Sequence, residues 1–489
     1  MRLEAYWGVG PKTAGLLRES IGESAAIAAI EGADVRTLAE AGLPRGRAVR
    51  ILRRATGTDG VDVLGTSDTR SVYDDLLGLA SEYAVTDHAA DRIRVLTPLT
   101  DREEIDKRLD DVLAAKAVWT DLTDADRERI LDAFERYDEA GGTDRAAVEA
   151  ALKLRAVGLA GSTFEALGAV DEAALEEAAG ALGYIRETAA GPTVIEGADD
   201  DLDRLREQLD AARDLNNAAF DIIDTVRDGG VRDMQAFRSG VVDHVASETE
   251  IPHTTIRSAA PDEAVDAADF VSATLRDLVA TLESQADDRE EAVVESLQDR
   301  IETAEGDVEA AVDAVGEIAL ALSLGRFAAA HGLQRPTLAD DGLAVTDARN
   351  LFLDGEIQPI TYGVGDHDLV DTPRAISPPA GDRVTVLTGA NSGGKTTLLE
   401  TLSQVALLTA MGLPVPAAEA EVGLFDTIVF HRRHASFNAG VLESTLKSIV
   451  PPLTGSGRTL MLVDEFEAIT EPGRAADLLN GLVSLTVDQ

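Results

Sequence analysis

The sequence predicts a multidomain chain, mostly α-helical, closed by an α/β domain built around a phosphate-binding loop. Three observations carry this prediction. Residues 70–334 are dominated by Ala, Leu, Glu, Asp and Arg, with apolar residues recurring three and four apart. From Arg335-Pro336 onward, Pro, Gly and short β-branched runs replace that texture. Within this last part lies Gly389-Ala390-Asn391-Ser392-Gly393-Gly394-Lys395-Thr396-Thr397, a G-x-x-x-x-G-K-T pattern set between a β-branched run and an apolar helical stretch. The expected divisions are residues 1–57, 70–334 and 335–489.

Composition bounds the rest. The 489 residues carry a formal net charge of −45, from 89 acidic and 44 basic side chains, and only six of the basic ones are Lys. Such an excess normally repels nucleic acid. Adaptation to multi-molar salt is the favoured reading, because the Debye length falls to about 3 Å at 1 M and net charge then says little about partners. An ordinary acidic cytosolic protein is the alternative. The absence of Cys excludes a disulfide framework and a thiolate metal site. No apolar run is long enough for a membrane span, and the N-terminus lacks a signal-peptide core, so a cytoplasmic chain is expected.

Residues 1–57 reverse the charge, with nine basic against six acidic residues. Gly8-Val9-Gly10-Pro11-Lys12 reads as a tight glycine turn opening a helix, and Ala41-Gly42-Leu43-Pro44-Arg45-Gly46-Arg47 repeats it loosely. The pair resembles a tandem helix-hairpin-helix module. That resemblance implies backbone amides at Gly8, Gly10 and Gly42 contacting DNA phosphates without reading sequence, with Lys12, Arg45, Arg47 and Arg50 adding charge. Arg53 and Arg54 would extend the row, Arg47 to Arg54 sharing one helix side. The other reading is a small helical cap with a solvated arginine face. Thr56 to Ser67, rich in Gly, Thr and Asp, reads as a linker.

In the helical middle, Ile105/Leu109/Val112/Leu113 and Leu202/Leu205/Leu209/Ala212 form core stripes. Ile301/Val308/Val312/Val315 predicts one longer amphipathic helix. Gly191-Pro192-Thr193, Gly229-Gly230 and Ile251-Pro252-His253 read as interruptions of the helical body.

Further on, Val384–Thr388 reads as a buried parallel strand and Leu398–Met411 as a helix ended by Gly412. The loop between them would wrap phosphate oxygens with backbone amides at a helix N-terminus. Lys395 would reach the β/γ-phosphates of ATP and the Thr396 hydroxyl would ligate Mg²⁺. Phe425–Phe430 and Thr459–Val463 read as strands, with a short helix from Val441 to Val450 between them. Asp464 and Glu465 sit at the C-terminal end of the second strand, where ligands bind in open α/β sheets. Asp464 would hold Mg²⁺ through its water shell and Glu465 would polarise the attacking water.

Together these residues resemble the MutS family of ABC-type ATPases. Gly389–Thr397 matches its P-loop, Gly412-Leu413-Pro414-Val415-Pro416-Ala417 its G-x-x-V-P-A turn, and His434-Ala435-Ser436-Phe437-Asn438 its signature segment. Thr97–Val112 resembles the start of the family's core/lever region, and Ile318–Pro336 its end. The resemblance implies a homodimer through the ATPase domains, in which Ser436 contacts the γ-phosphate held by the other subunit. It also implies ATP binding and hydrolysis coupled to dimer closure on duplex or branched DNA. None of the 11 Phe residues has Glu two positions on, so the family's mismatch-reading Phe-x-Glu is not expected. The chain ends about where a further strand with a switch histidine would begin, and is expected to be a fragment truncated after the Walker B strand. The alternatives are a structural DNA-binding protein that binds ATP without hydrolysing it, and an SMC-like or transporter-type ABC ATPase.

Overall fold

The computed structural model describes residues 3–6, 8–56, 58–158, 162–168, 170–188, 191–228, 233–355, 358–371, 377–389, 394–432, 457–464, 480, 481, 483, 484 and 486. It is mostly helical, with small sheets, and divides into two compact units. One joins Met1–Ala169 to Ala310–Gln489, and the other is Val170–Glu309.

The N-terminal part opens with α1 (Pro11–Ser20), α2 (Glu23–Glu31), α3 (Val35–Glu40) and α4 (Arg45–Thr56). These four short helices close over a small apolar core that includes Leu17, Ile30, Leu38 and Leu52, all fully buried. The expected linker takes a different form. Residues 58–69 hold α5 (Thr58–Asp62), the buried Val63 and Leu64, and the start of α6 (Ser67–Ser81). Its Gly and Thr content reads as flexible, but the apolar Val63 and Leu64 bury against a strand more than 350 residues away in sequence. There follow α7 (Asp87–Arg94), α8 (Arg102–Asp121), α9 (Asp124–Glu139), α10 (Asp144–Ala156) and α11 (Glu165–Gly168). The starts of α6 to α10 are set by Thr66, Thr86, Asp101, Thr123 and Thr143, whose side chains accept from first-turn amides. Each such cap stabilises its helix by about 1 kcal/mol. The predicted stripe on α8 faces inward, with Ile105, Leu109 and Val112 buried and Leu113 half-buried.

The second unit contains α12 (Glu172–Tyr184), a hairpin of β1 (Ile185–Thr188) and β2 (Gly191–Val194), α13 (Asp200–Asn217), α14 (Ala219–Asp228), α15 (Met234–Thr249), α16 (His253–Ala259) and α17 (Ala267–Thr303). Leu202, Leu209 and Ala212 are buried as expected. Gly191-Pro192-Thr193 enters the hairpin and Ile251-Pro252 separates α15 from α16, so both interrupt the helical body. Gly229-Gly230 lies outside the described residues. The single long helix expected across Ile301–Val315 is two. α17 stops at Thr303 and α18 (Glu305–Ala330) starts after Ala304. The break falls where the Thr303 hydroxyl bonds back to the Asp299 carbonyl and Gly306 follows, both unfavourable to a continuous helix.

The C-terminal part carries β3 (Thr337–Ala339), β4 (Leu343–Ala348), β5 (Ile360–Val364), α19 (Lys395–Ala410), β6 (Glu419–Gly423), β7 (Thr427–His431) and β8 (Thr459–Val463). One sheet has the order β3-β6-β4-β5, in which β3 and β6 run parallel and the other pairs antiparallel. β7 and β8 pair in parallel from Thr427 opposite Thr459 to His431 opposite Val463. α19 buries Leu402, Val405, Leu407 and Leu408 in the core shared with α6 and these sheets. It ends as expected, with Met411 as cap and Gly412 at φ 67°.

The expected strand at Val384–Thr388 does not form a ladder among the described residues. That segment has no regular secondary structure and is largely exposed, with Val386 60 % accessible. β-branched residues favour the pleated conformation, but a strand also needs a neighbour to pair with, and the local pattern does not specify one.

Candidate functional site

At one end of the parallel β7/β8 pair, Thr396 at the start of α19 meets the Asp464 carboxylate. Gly394, at φ 77°, is the residue before α19 and supplies the left-handed turn that starts the helix. A side chain there would cost about 1–2 kcal/mol. The next two residues then project from the first turn of a 16-residue helix, whose N-terminal amides and dipole favour an anion. Lys395 Nζ donates to the Gly389 carbonyl at 2.7 Å.

Asp464 follows β8 directly, and its amide donates to the His431 carbonyl at 2.9 Å, carrying the parallel pairing one residue past the strand end. The carboxylate is 6 % exposed, and its Oδ2 accepts the Thr396 hydroxyl at 2.6 Å, across 68 residues of sequence. A buried carboxylate is costly to desolvate without a partner, and a neutral hydroxyl offsets only part of that cost. A hydroxyl and a carboxylate side by side are a hard-oxygen donor pair suited to Mg²⁺, so the residues fit the expected ion.

Of the predicted loop and catalytic residues, the structure therefore brings Thr396 to Asp464 and Lys395 to Gly389, with Gly394 and Thr397 next to them in sequence. Ala390, Asn391, Ser392, Gly393, Ser436 and Glu465 lie outside the described residues, as do His434 and the expected helix at Val441–Val450.

Behind the loop lies a polar network that sequence reasoning passed over. Glu400, one turn along α19 from Thr396, accepts from Asn350 Nδ2 at 3.1 Å and pairs with Arg432. Gln404, a turn further, donates to Asn350 Oδ1 at 3.0 Å and accepts from the Leu351 amide at 2.9 Å. Gln404 and Asn350 are both essentially fully buried. The available signal was Glu400 and Gln404 at i, i+4 in a helix whose other residues from Leu398 to Ala410 are apolar or carry only a hydroxyl, where buried polar groups need partners.

In the N-terminal helices two of the three predicted glycines adopt positive φ, Gly8 at 79° and Gly42 at 94°, while Gly10 stays at −80°. Gly10 precedes α1 without a side-chain cap, and Lys12 and Arg50 are exposed. Arg47 on α4 reaches back to Thr13 Oγ1 on α1 at 2.7 Å and to the Gly8 carbonyl in the turn before it at 3.5 Å. Arg45 pairs at 2.6 Å with Asp91, a buried carboxylate that also receives Arg94. Arg53 pairs with Asp74, donates to the Arg94 carbonyl and lies over the Tyr73 ring. Burial pushes the Tyr73 hydroxyl up to about 12. Arg54 approaches Asp62 at 3.9 Å.

A mostly helical, multidomain chain in which a helix-starting Gly-Lys-Thr meets a strand-end Asp is the class these features define. No family model matches the chain. It is 41 % identical to the DNA-binding protein MutS2 of Pyrococcus furiosus over 155 residues, which are 32 % of this chain and 26 % of that protein. It is 30 % identical to the DNA mismatch repair protein MutS of Granulibacter bethesdensis over 206 residues, covering 40 % of this chain and 20 % of that one. Endonuclease MutS2 of Pelotomaculum thermopropionicum is 26 % identical over 185 residues, 36 % of this chain and 22 % of its own. The chain thus spans about a quarter or less of the length of these curated relatives. Similarity to MutS2 and MutS over about a third of the chain supports a MutS-like family member.

Proposed function

We propose that this chain is an ATP-dependent DNA-binding protein of the MutS-like group, acting in repair or recombination. The observation that carries the proposal is the 2.6 Å contact between Thr396 and the buried Asp464, which joins the end of the phosphate loop to the end of a parallel strand. In this reading residues 335–489 form a P-loop ABC-type ATPase domain, 70–334 a helical core/lever region, and 1–57 a helix-hairpin-helix module.

Gly389–Thr397 wraps the triphosphate, and Lys395 exchanges its bond to the Gly389 carbonyl for phosphate oxygens. Thr396 and Asp464 would hold Mg²⁺. When bound, the ion supplies charge neutralisation on the β- and γ-phosphates. Glu465 orients the attacking water and accepts its proton. Ser436 completes the partner subunit's site in a homodimer whose closure follows ATP binding. Gly8 and Gly10 present hairpin amides to DNA phosphates, with Lys12 and Arg50 adding charge while Arg45 and Arg47 brace the hairpins; the Gly42 amide bonds to the Ala39 carbonyl at 2.9 Å and shapes its own turn instead.

The test is steady-state ATP hydrolysis and nucleotide binding by the Glu465→Gln protein. Retained binding with hydrolysis reduced by about 10²-fold or more is expected for loss of a general base. Undiminished hydrolysis would sink the assignment.

A further inference from the structure

The edge of β7 that faces away from β8 is covered by the segment joining the N-terminal module to α6. Strand edges carry unpaired amides and carbonyls that must find partners when buried. On this edge Ile428 donates to the Val63 carbonyl at 2.7 Å, and its own carbonyl accepts the Gly65 amide at 3.0 Å. Beyond Gly65 the chain turns into α6, and side chains replace the backbone as partners. Thr69 Oγ1 accepts from the Phe430 amide at 2.8 Å and faces the Ile428 carbonyl at 3.1 Å. Thr66 Oγ1 donates to the Phe430 carbonyl at 2.5 Å. Asp68 Oδ2 then accepts from the Arg432 amide at 2.8 Å. Residues 63–69 thereby engage alternate residues 428, 430 and 432 in turn. Gly65 permits the approach, because a Cβ there would meet Thr427 Cγ2 at 2.9 Å and Val429 Cγ2 at 3.0 Å.

The last of these contacts leads toward the phosphate loop. Arg432 follows β7 as Asp464 follows β8, and the Asp464 amide bonds to the His431 carbonyl next to it. The Arg432 guanidinium lies over the Phe430 ring and pairs with Glu400. Glu400 is one turn from Thr396 on α19 and is held by Asn350. Asp68 itself is buried, with His431 Nδ1 at 3.6 Å. A carboxylate in that position fixes the backbone from which Arg432 reaches α19.

We propose that Asp68 is a positioning residue of the nucleotide site. Residues 63–69 act as a strap by which the chain following the N-terminal module sets Arg432 against Glu400 and so aligns the helix bearing Lys395 and Thr396. The proposal rests on the assignment of those residues to nucleotide binding. A strap that only seals a sheet edge would affect stability alone. Alignment through Arg432 affects the nucleotide as well.

The two are separated by Asp68→Ala, Asp68→Asn and Thr69→Val in the full chain. The readouts are hydrogen exchange over residues 395–404 and 427–432, and affinity for a fluorescent ATP analogue with Mg²⁺. Asp68→Ala is expected to speed exchange in both segments and to weaken the analogue by about tenfold, the usual effect of removing a supporting partner of a binding group. Asp68→Asn keeps an acceptor for the Arg432 amide and should restore most of that affinity. Thr69→Val leaves Arg432 untouched, so it should speed exchange over 427–432 while affinity stays close to wild type. Unchanged affinity in Asp68→Ala, or equal losses in Asp68→Ala and Thr69→Val, would overturn the proposal. If the wild-type chain bound no analogue, the nucleotide assignment itself would fall. Exchange over 395–404 would still decide the strap, because unchanged exchange there in Asp68→Ala refutes it.

Discussion

At the start of α19, Lys395 bonds to a carbonyl of its own loop and Thr396 to the Asp464 carboxylate, whereas in the N-terminal module Arg45 and Arg53 reach carboxylates of neighbouring helices. Both regions were marked out in the sequence by glycines beside basic residues. In the first, the motif residues themselves come together at one strand end. In the second, the basic residues that read as one phosphate-facing surface are divided: Arg45, Arg47 and Arg53 bond within the chain, although Arg45 and Arg47 stay exposed, while Lys12 and Arg50 are the exposed cations left for a partner. A spacing motif specifies the backbone around a ligand. A charge row only counts side chains, and packing decides where each one goes.

The largest expected effect sharpens the first half of that contrast. Lys395→Ala should lower ATP affinity by about 100-fold, since it removes charge-assisted bonds to phosphate. Calorimetric titration with ATP checks this, and DNA affinity measured without nucleotide should not change. Next, Gly42→Val places a β-branched residue at φ 94°, where strain costs about 1–3 kcal/mol. Weakened DNA binding in a gel-shift series should accompany a lower thermal midpoint. If DNA affinity held while the midpoint fell, the hairpin would be a structural turn only.

The smallest effects separate the two arginine classes. Arg50→Gln should reduce the salt slope of DNA binding by about 0.9, the value for one phosphate contact. Arg45→Gln should leave that slope unchanged and lower stability by about 1 kcal/mol, as expected for a half-exposed partner of a buried carboxylate that keeps Arg94. Equal slopes for the two variants would erase the distinction between brace and contact.

Where local pattern dictates structure, the sequence was legible. α19 and its stop at Gly412, the strands around Ile428 and Leu460, and the stripes on α8 and α13 follow from apolar periodicity and helix-end chemistry. Three features were not legible, and two of them depend on distant partners. Val384–Thr388 has the composition of a strand but pairs with no described neighbour. Ile301–Val315 keeps its apolar spacing across a break at Ala304. Residues 58–69 read as a linker, although Val63, Thr66, Asp68 and Thr69 complete the edge of β7. At the candidate site Thr396 and Asp464, which meet in the structure, were singled out in the sequence, while Glu400, Gln404, Asn350 and Arg432 were not. Their significance lies in contacts between segments, and no spacing rule encodes those.

The most direct measurement for the nucleotide assignment is ATP affinity with and without Mg²⁺ in the wild-type and Asp464→Asn chains. Wild type should bind more tightly when Mg²⁺ is present. Asp464→Asn should keep the Mg²⁺-free affinity and lose that increment, since an amide is a poorer ligand for a hard cation. An equal Mg²⁺ increment in both proteins would contradict the account, because Thr396 and Asp464 would then hold no ion.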